Sequence, residues 1–212
     1  MRIVLMGPPG AGKGTQGEIL ERRYDVPRFS TGDILRSARR EGTEMGRRAQ
    51  EYMDAGELVP DEVILGIMGE ALSGEAARNG FILDGFPRTV AQAEGLRKML
   101  DELDIGLDAV INISVEDDEI VRRLSGRRVC SRCGVVVGPD AEPDAKCRDC
   151  GGELIQRRDD DAATVRRRLE VYRDQTEPVL AWYRAAGPRV VDVDGLGSVE
   201  GITKRVLDGI AA

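Results

Sequence analysis

GPPGAGKGT, residues 7–15, follows a short apolar run at residues 3–6 and opens a helical pattern that begins at Lys13. Gly7, Gly12 and Lys13 fit the spacing of a phosphate-binding loop, in which four residues separate a glycine from a Gly-Lys pair. The hydroxyl that should follow is displaced one position, to Thr15, by Gly14. The physics survives that change. Glycines let successive backbone N–H groups turn toward one anion, and the helix N-terminus adds positive potential. Lys13 is then placed to bridge outer phosphates and Thr15 to face Mg²⁺. A glycine turn that merely links strand to helix is the plain alternative, and this spacing and context disfavour it.

Outward from the loop, short apolar runs alternate with amphipathic stretches, and residues 3–6, 27–29, 81–83, 109–113 and 189–193 are the candidate strands. Helical patterns are expected over 13–23, 31–40, 43–55, 61–72, 90–103, 118–124, 162–185 and 199–210. Strands separated by helices imply crossover connections, hence an α/β fold of three layers around a central parallel five-stranded sheet. Two segments depart from this rhythm. Residues 30–59 form a helical excursion, and 127–161 lack helical period. Val135, Val136 and Val137, followed by Gly138, Pro139 and Asp140, suggest short hairpin strands with tight turns.

The second excursion carries all four cysteines. Cys130 and Cys133 form one C-x-x-C pair and Cys147 and Cys150 another, the spacing of a structural zinc site. Four thiolates leave no open position for water, and a segment too poor in apolar residues to bury a core gains one from the metal. Disulfides, or a redox or iron site, are the competing readings. There are no histidines, so no imidazole serves as a general base, which favours phosphoryl transfer over chemistry that needs one. The net charge of −7 argues against nonspecific nucleic-acid binding. No apolar stretch approaches the ~20 residues of a bilayer span. A cytoplasmic protein with no membrane or nucleic-acid partner is expected. Clustered arginines suit phosphate oxygens, although coding bias and helix-surface charge could also place them.

GPPGAGKGT is similar to the loop of nucleoside monophosphate kinases, which carries a glycine after the lysine. STGDILR (30–36), DGFPRTVAQ (84–92), RLSGRR (123–128) and RRDDDAATVRRRL (157–169) extend the match end to end. Together they resemble the long-lid, zinc-binding form of the adenylate kinase family. The resemblance implies a core of 1–29, 60–126 and 162–212, a helical AMP-binding insertion at 30–59 and a β-rich zinc lid at 127–161. It also implies reversible Mg²⁺-dependent transfer between ATP and AMP, giving ADP, by a monomer whose two flaps move.

On that resemblance ATP lies against Gly10, Ala11, Gly12, Lys13, Gly14, Thr15, Arg123, Arg127, the backbone of Val136 and Val137, and Gly197. AMP is held by Thr31, Arg36, the backbone of Glu57, Leu58 and Val59, then Gly85, Phe86, Pro87, Arg88 and Gln92, with Arg157 and Arg168. The transferring group meets Lys13, Arg88, Arg127, Arg157 and Arg168, and Asp84 anchors Mg²⁺ through water. Asp159 and Asp160 are expected to pair with arginines. Simpler roles stand beside these: Ser30 or Thr31 as a helix cap, Asp84 as a cap, Gln92 as solvated helix surface. Relatives often place an aromatic residue where Val135 to Val137 stand, so stacking on adenine is expected to be weaker here.

Overall fold

The computed structural model describes residues 1–138 and 145–211. The turn expected at Pro139 and Asp140 lies outside the described residues. β1 (Arg2–Met6) leads through the glycine loop into α1 (Lys13–Tyr24), and β2 (Arg28–Ser30) follows. Two helices, α2 (Thr31–Arg40) and α3 (Glu44–Asp54), come before α4 (Asp61–Ser73) and β3 (Phe81–Asp84). Next are α5 (Val90–Glu102), β4 (Ala109–Ser114) and α6 (Asp117–Gly126). Short strands β5 (Arg128–Cys130), β6 (Val136–Val137) and β7 (Leu154–Ile155) precede α7 (Ala162–Val171) and α8 (Glu177–Ala186). The chain closes with β8 (Arg189–Asp194) and α9 (Val199–Ala211).

The five expected strands form one parallel sheet in the order β2-β3-β1-β4-β8. Successive side chains of a strand point to opposite faces, so each strand feeds two cores. Val4, Met6, Phe81, Leu83 and Val110 pack with α4, α5 and α8 on one face. Ile3, Leu5, Ile82, Ile111 and Ile113 pack with α1 and α9 on the other. Burial of each such side chain is worth about 1.5–3 kcal/mol. Because both faces are covered, the strands read as continuous apolar runs rather than alternating ones.

β5, β6 and β7 form a separate antiparallel sheet, with β5 in the centre. One helix differs from expectation. The segment 162–185 is not continuous: five residues, Tyr172–Thr176, take a π-helical turn between α7 and α8. Pro178 in the first turn of α8 lacks an N–H, and its ring would clash with the carbonyl four residues earlier. The wider turn relieves this, and the Glu177 N–H reaches back to the Tyr172 carbonyl. The sheet's strands end at Met6, Ser30, Asp84, Ser114 and Asp194, all along one carboxyl edge, where open α/β sheets bind their ligands.

Candidate active site

A cavity of about 780 Å³ opens at that edge, floored by the glycine loop and the end of β3 and walled by α2, α6 and α7. Its floor requires glycine. At Gly7, with φ of 135°, a Cβ would lie 2.2 Å from the carbonyl oxygen of Ile113. Gly12 caps α1 in the left-handed region at φ 96°, turning the first free N–H groups of the helix toward the cavity. Lys13 folds back over the loop, its Nζ donating to the Gly7 carbonyl at 2.7 Å and the Pro8 carbonyl at 2.9 Å. Burial, only partly countered by Asp84 and reinforced by Arg88 and Arg168, lowers its pKa to about 8.

Around Lys13 stand more cations than anions. Arg88 donates from Nε to the Gly85 carbonyl at 2.8 Å, and burial followed by the charge of Arg168 lowers its pKa to about 10. Arg157 is likewise lowered to about 10, by burial and then by Arg36 and Arg127. Its Nε is buried with no hydrogen-bond partner. Arg168 reaches the Asp159 carboxylate at 3.1 Å and Asp160 at 3.2 Å. Arg127 donates from Nε to Asp160 at 2.7 Å, and Asp160 is wholly buried. The expected pairing of Asp159 and Asp160 with arginines is therefore present.

The residues expected around a second ligand occupy the other half of the cavity. Thr31, Arg36, Glu57, Leu58, Val59, Gly85, Pro87 and Gln92 all line it. Ser30 is the cap of α2, accepting from the Asp33 N–H at 3.3 Å, which frees Thr31 to donate to the Gly85 carbonyl at 2.8 Å. Gln92 is not solvated helix surface: it is 1% exposed. Its Oε1 accepts from the Arg88 backbone N–H at 2.8 Å, and its Nε2 donates to Asp61 at 2.7 Å. One donor and one lone pair of the amide are left for a ligand. Asp84 does not cap a helix; its Oδ2 takes a hydrogen bond from Arg28 at 3.0 Å.

On the other half, Gly10, Ala11, Gly12, Gly14, Thr15, Arg123, Arg127, Val136 and Gly197 line the wall, while Val137 does not. Val137 is paired with Arg128 in the small sheet. Phe86 also stands apart, fully buried in the core. Arg123 is held by Glu119 at 2.6 Å and by the Gly195 carbonyl at 2.9 Å. Sequence reasoning missed Arg28, Asp61 and Glu119. Only the i,i+4 spacing of Glu119 and Arg123 carried a local signal.

The four cysteine sulfurs lie within 4.8 Å of one another. Cys130 and Cys150 are 3.4 Å apart and Cys133 and Cys147 3.5 Å, far too long for disulfides. Sulfurs at about 2.3 Å from a shared tetrahedral centre would sit roughly 3.8 Å apart, so the set fits one ion. A Cβ on Gly152 would lie 2.7 Å from the Cys130 sulfur, so the turn there leaves room for the cluster alone. The Cys133 backbone N–H, pointing at that sulfur, heads the causes that bring the Cys130 thiol down to about 6.

Buried cations that depress one another's basicity, ranged over a glycine cradle at a sheet's carboxyl edge, define a P-loop protein shaped for polyphosphate. Comparison with known proteins narrows this. A family model described as Adenylate kinase matches residues 5–188. An adenylate kinase of Archaeoglobus fulgidus is 51% identical over 209 residues, spanning 97% of this chain and 96% of the relative. One from Caldicellulosiruptor bescii is 50% identical over 213 residues, 99% of each chain. One from Thermodesulfovibrio yellowstonii is 51% identical over 205 residues, 95% of each. The chain belongs to the adenylate kinase family.

Proposed function

We propose that this chain catalyses ATP + AMP = 2 ADP, with AMP held on the Thr31, Arg36, Arg88 and Gln92 side and ATP on the glycine loop. The carrying observation is the surplus of buried cations where the two halves of the cavity meet. Arg88 and Arg168 repel Lys13 there, and Arg36 and Arg127 repel Arg157, and a row of phosphates would remove that cost. The attacking AMP oxygen is already anionic, so no general base is needed, in keeping with a chain that has no histidine. Lys13, Arg88, Arg127, Arg157 and Arg168 neutralise charge spread over the transferring oxygens, and the remaining task is alignment. Mg²⁺ bound with ATP would supply charge neutralisation at the outer phosphates, and Thr15 and Asp84 would hold it. Thr15 and Asp84 stand at the cradle with the oxygen chemistry that hydrated Mg²⁺ prefers, Asp84 acting through water.

Residues 30–59 and 127–161 are read as flaps over AMP and ATP, which exclude water and suppress hydrolysis. Backbone of Glu57, Leu58 and Val59 supports AMP; backbone near Val136 and Gly197 supports the ATP base. Cys130, Cys133, Cys147 and Cys150 hold a structural Zn²⁺ that stands in for a lid core. A cytoplasmic monomer without membrane or nucleic-acid partners is the corresponding setting. No helix among the described residues is long and apolar enough to cross a bilayer.

A coupled assay with Mg²⁺-ATP and a panel of AMP, CMP, UMP and GMP tests this reading. ADP should form fastest with AMP. Absence of turnover with AMP, or preference for another acceptor, would reject it.

A further inference from the structure

Arg28 takes no part in the chemistry above, yet it is tied to three neighbouring elements. Its Nη1 lies 3.0 Å from Asp84 Oδ2 at the end of β3 and 3.1 Å from Asp33 Oδ2 on α2. Glu18 and Glu21 of α1 approach its guanidinium to 3.9 Å, and Glu21 also accepts the Arg28 backbone N–H at 3.1 Å. The side chain is 14% exposed and lines the cavity beside Lys13, Thr15 and Asp84. Space for it comes from Gly17, inside α1, where a Cβ would meet Arg28 Cδ at 2.5 Å and Leu5 Cδ1 at 3.3 Å. Glycine is a poor choice for a helix interior, so its presence at this contact marks Arg28 as seated by design of the packing rather than by accident of the surface.

The geometry points to Arg28 as a positioning residue that clamps Asp33 and Asp84 together beside the phosphate cradle and, as a fixed positive charge, weakens the hold of that site on a divalent cation. This rests on reading the cradle as the Mg²⁺-ATP site. Two adjacent carboxylates repel one another, and the Arg28 Nη1 shared between them relieves that repulsion and sets their directions. The same charge opposes any second cation drawn to Asp84. Arg28 therefore trades metal affinity for order, and Gly17 is the opening that admits it.

The two effects separate on substitution. Arg28→Gln removes the cation shared by Asp84 and Asp33, leaving Asp33 with Arg36 at 2.7 Å, so a divalent ion should be held about tenfold more tightly in the nucleotide complex, within the usual range for coupled sites. At the same time kcat should fall, because Asp84 is no longer aimed. A merely structural role would weaken both. The readout is Mn²⁺ binding, followed by electron paramagnetic resonance, to the full chain with its zinc and saturated with the β,γ-methylene analogue of ATP. Arg28→Lys, which keeps the charge, should stay within about twofold of the parent in Mn²⁺ affinity. Gly17→Ala should displace Arg28 and shift Mn²⁺ binding in the same direction as Arg28→Gln. In the Arg28→Gln background, where the charge is already gone, Gly17→Ala should add no further shift in Mn²⁺ binding.

Unchanged or weaker Mn²⁺ binding in Arg28→Gln overturns the inference, as does simple additivity of the two substitutions. If the parent does not bind the analogue at all, the site itself has been misread, an outcome distinct from a parent that binds and a variant that does not shift.

Discussion

Lys13 and Arg88 show how a single side chain can be costly in the free protein and useful in the complex. Lys13 holds its proton less firmly than usual, with a pKa near 8 against 10.5 for an ordinary lysine, because burial and neighbouring arginines disfavour the charge. Between those values the unfolded chain binds a proton that the folded chain has released, so stability contributed through Lys13 rises with pH. A bound polyphosphate should restore the proton. Titration calorimetry near pH 8 in buffers of different ionisation enthalpy should show proton uptake on ATP binding, abolished in Lys13→Met. Arg88→Ala should lower kcat by about 10²–10³-fold with circular dichroism unchanged, since one preorganised donor to transition-state charge is worth that much. A drop of less than tenfold would remove Arg88 from the transfer point.

Elements differ in what holds them. The central strands carry fully buried Ile3, Val4, Ile82, Leu83, Val110 and Ile111 and are held by apolar burial together with the ladder of the parallel sheet. The small β5-β6-β7 sheet exposes Val136 and Ile155, and among the described residues the cysteine cluster is what closes it. Chelation under reducing conditions should release one zinc per chain and sharply raise hydrogen exchange across 127–138 and 145–161. Exchange in β1, β3 and β4 should stay slow. An unchanged exchange pattern after confirmed metal loss would show that the sheet does not depend on the ion. At this scale sequence reasoning located every core strand to within a residue or two, most plainly β1, β3 and β4, because a strand buried on both faces is a nearly continuous apolar run. It failed at Tyr172–Thr176, where a proline in the next helix alters the hydrogen bonding before it.

In the whole molecule the excursions meet over one cavity and also touch each other. Asp54 of α3 approaches Arg158 at 3.9 Å, while Glu57, just after α3, is tied to the core by Arg167 of α7 at 2.7 Å. A dinucleotide with two adenosines joined by five phosphates would satisfy both halves and the cations between them. At a hundred times its dissociation constant it should stabilise the fold by about 2.7 kcal/mol, raising the melting temperature by roughly 5–10 °C. Small-angle scattering should show a smaller radius of gyration. An equal shift from ATP alone at the same molar concentration would mean that the AMP half contributes nothing.

The glycine loop, the paired C-x-x-C knuckles and the strand–helix alternation were determined by the sequence alone, since each depends on residues a few positions apart. Tertiary structure alone decided that Gln92 is buried and committed to Asp61 and the Arg88 backbone. It alone seated Arg28 between Asp33 and Asp84, and crowded Lys13, Arg88 and Arg168 together, and Arg157 against Arg36 and Arg127, closely enough to disfavour their charge. Charge interactions depend on distance through space and on exclusion of water, and neither quantity exists until β2, β3 and α7 have been brought to the same edge of the sheet.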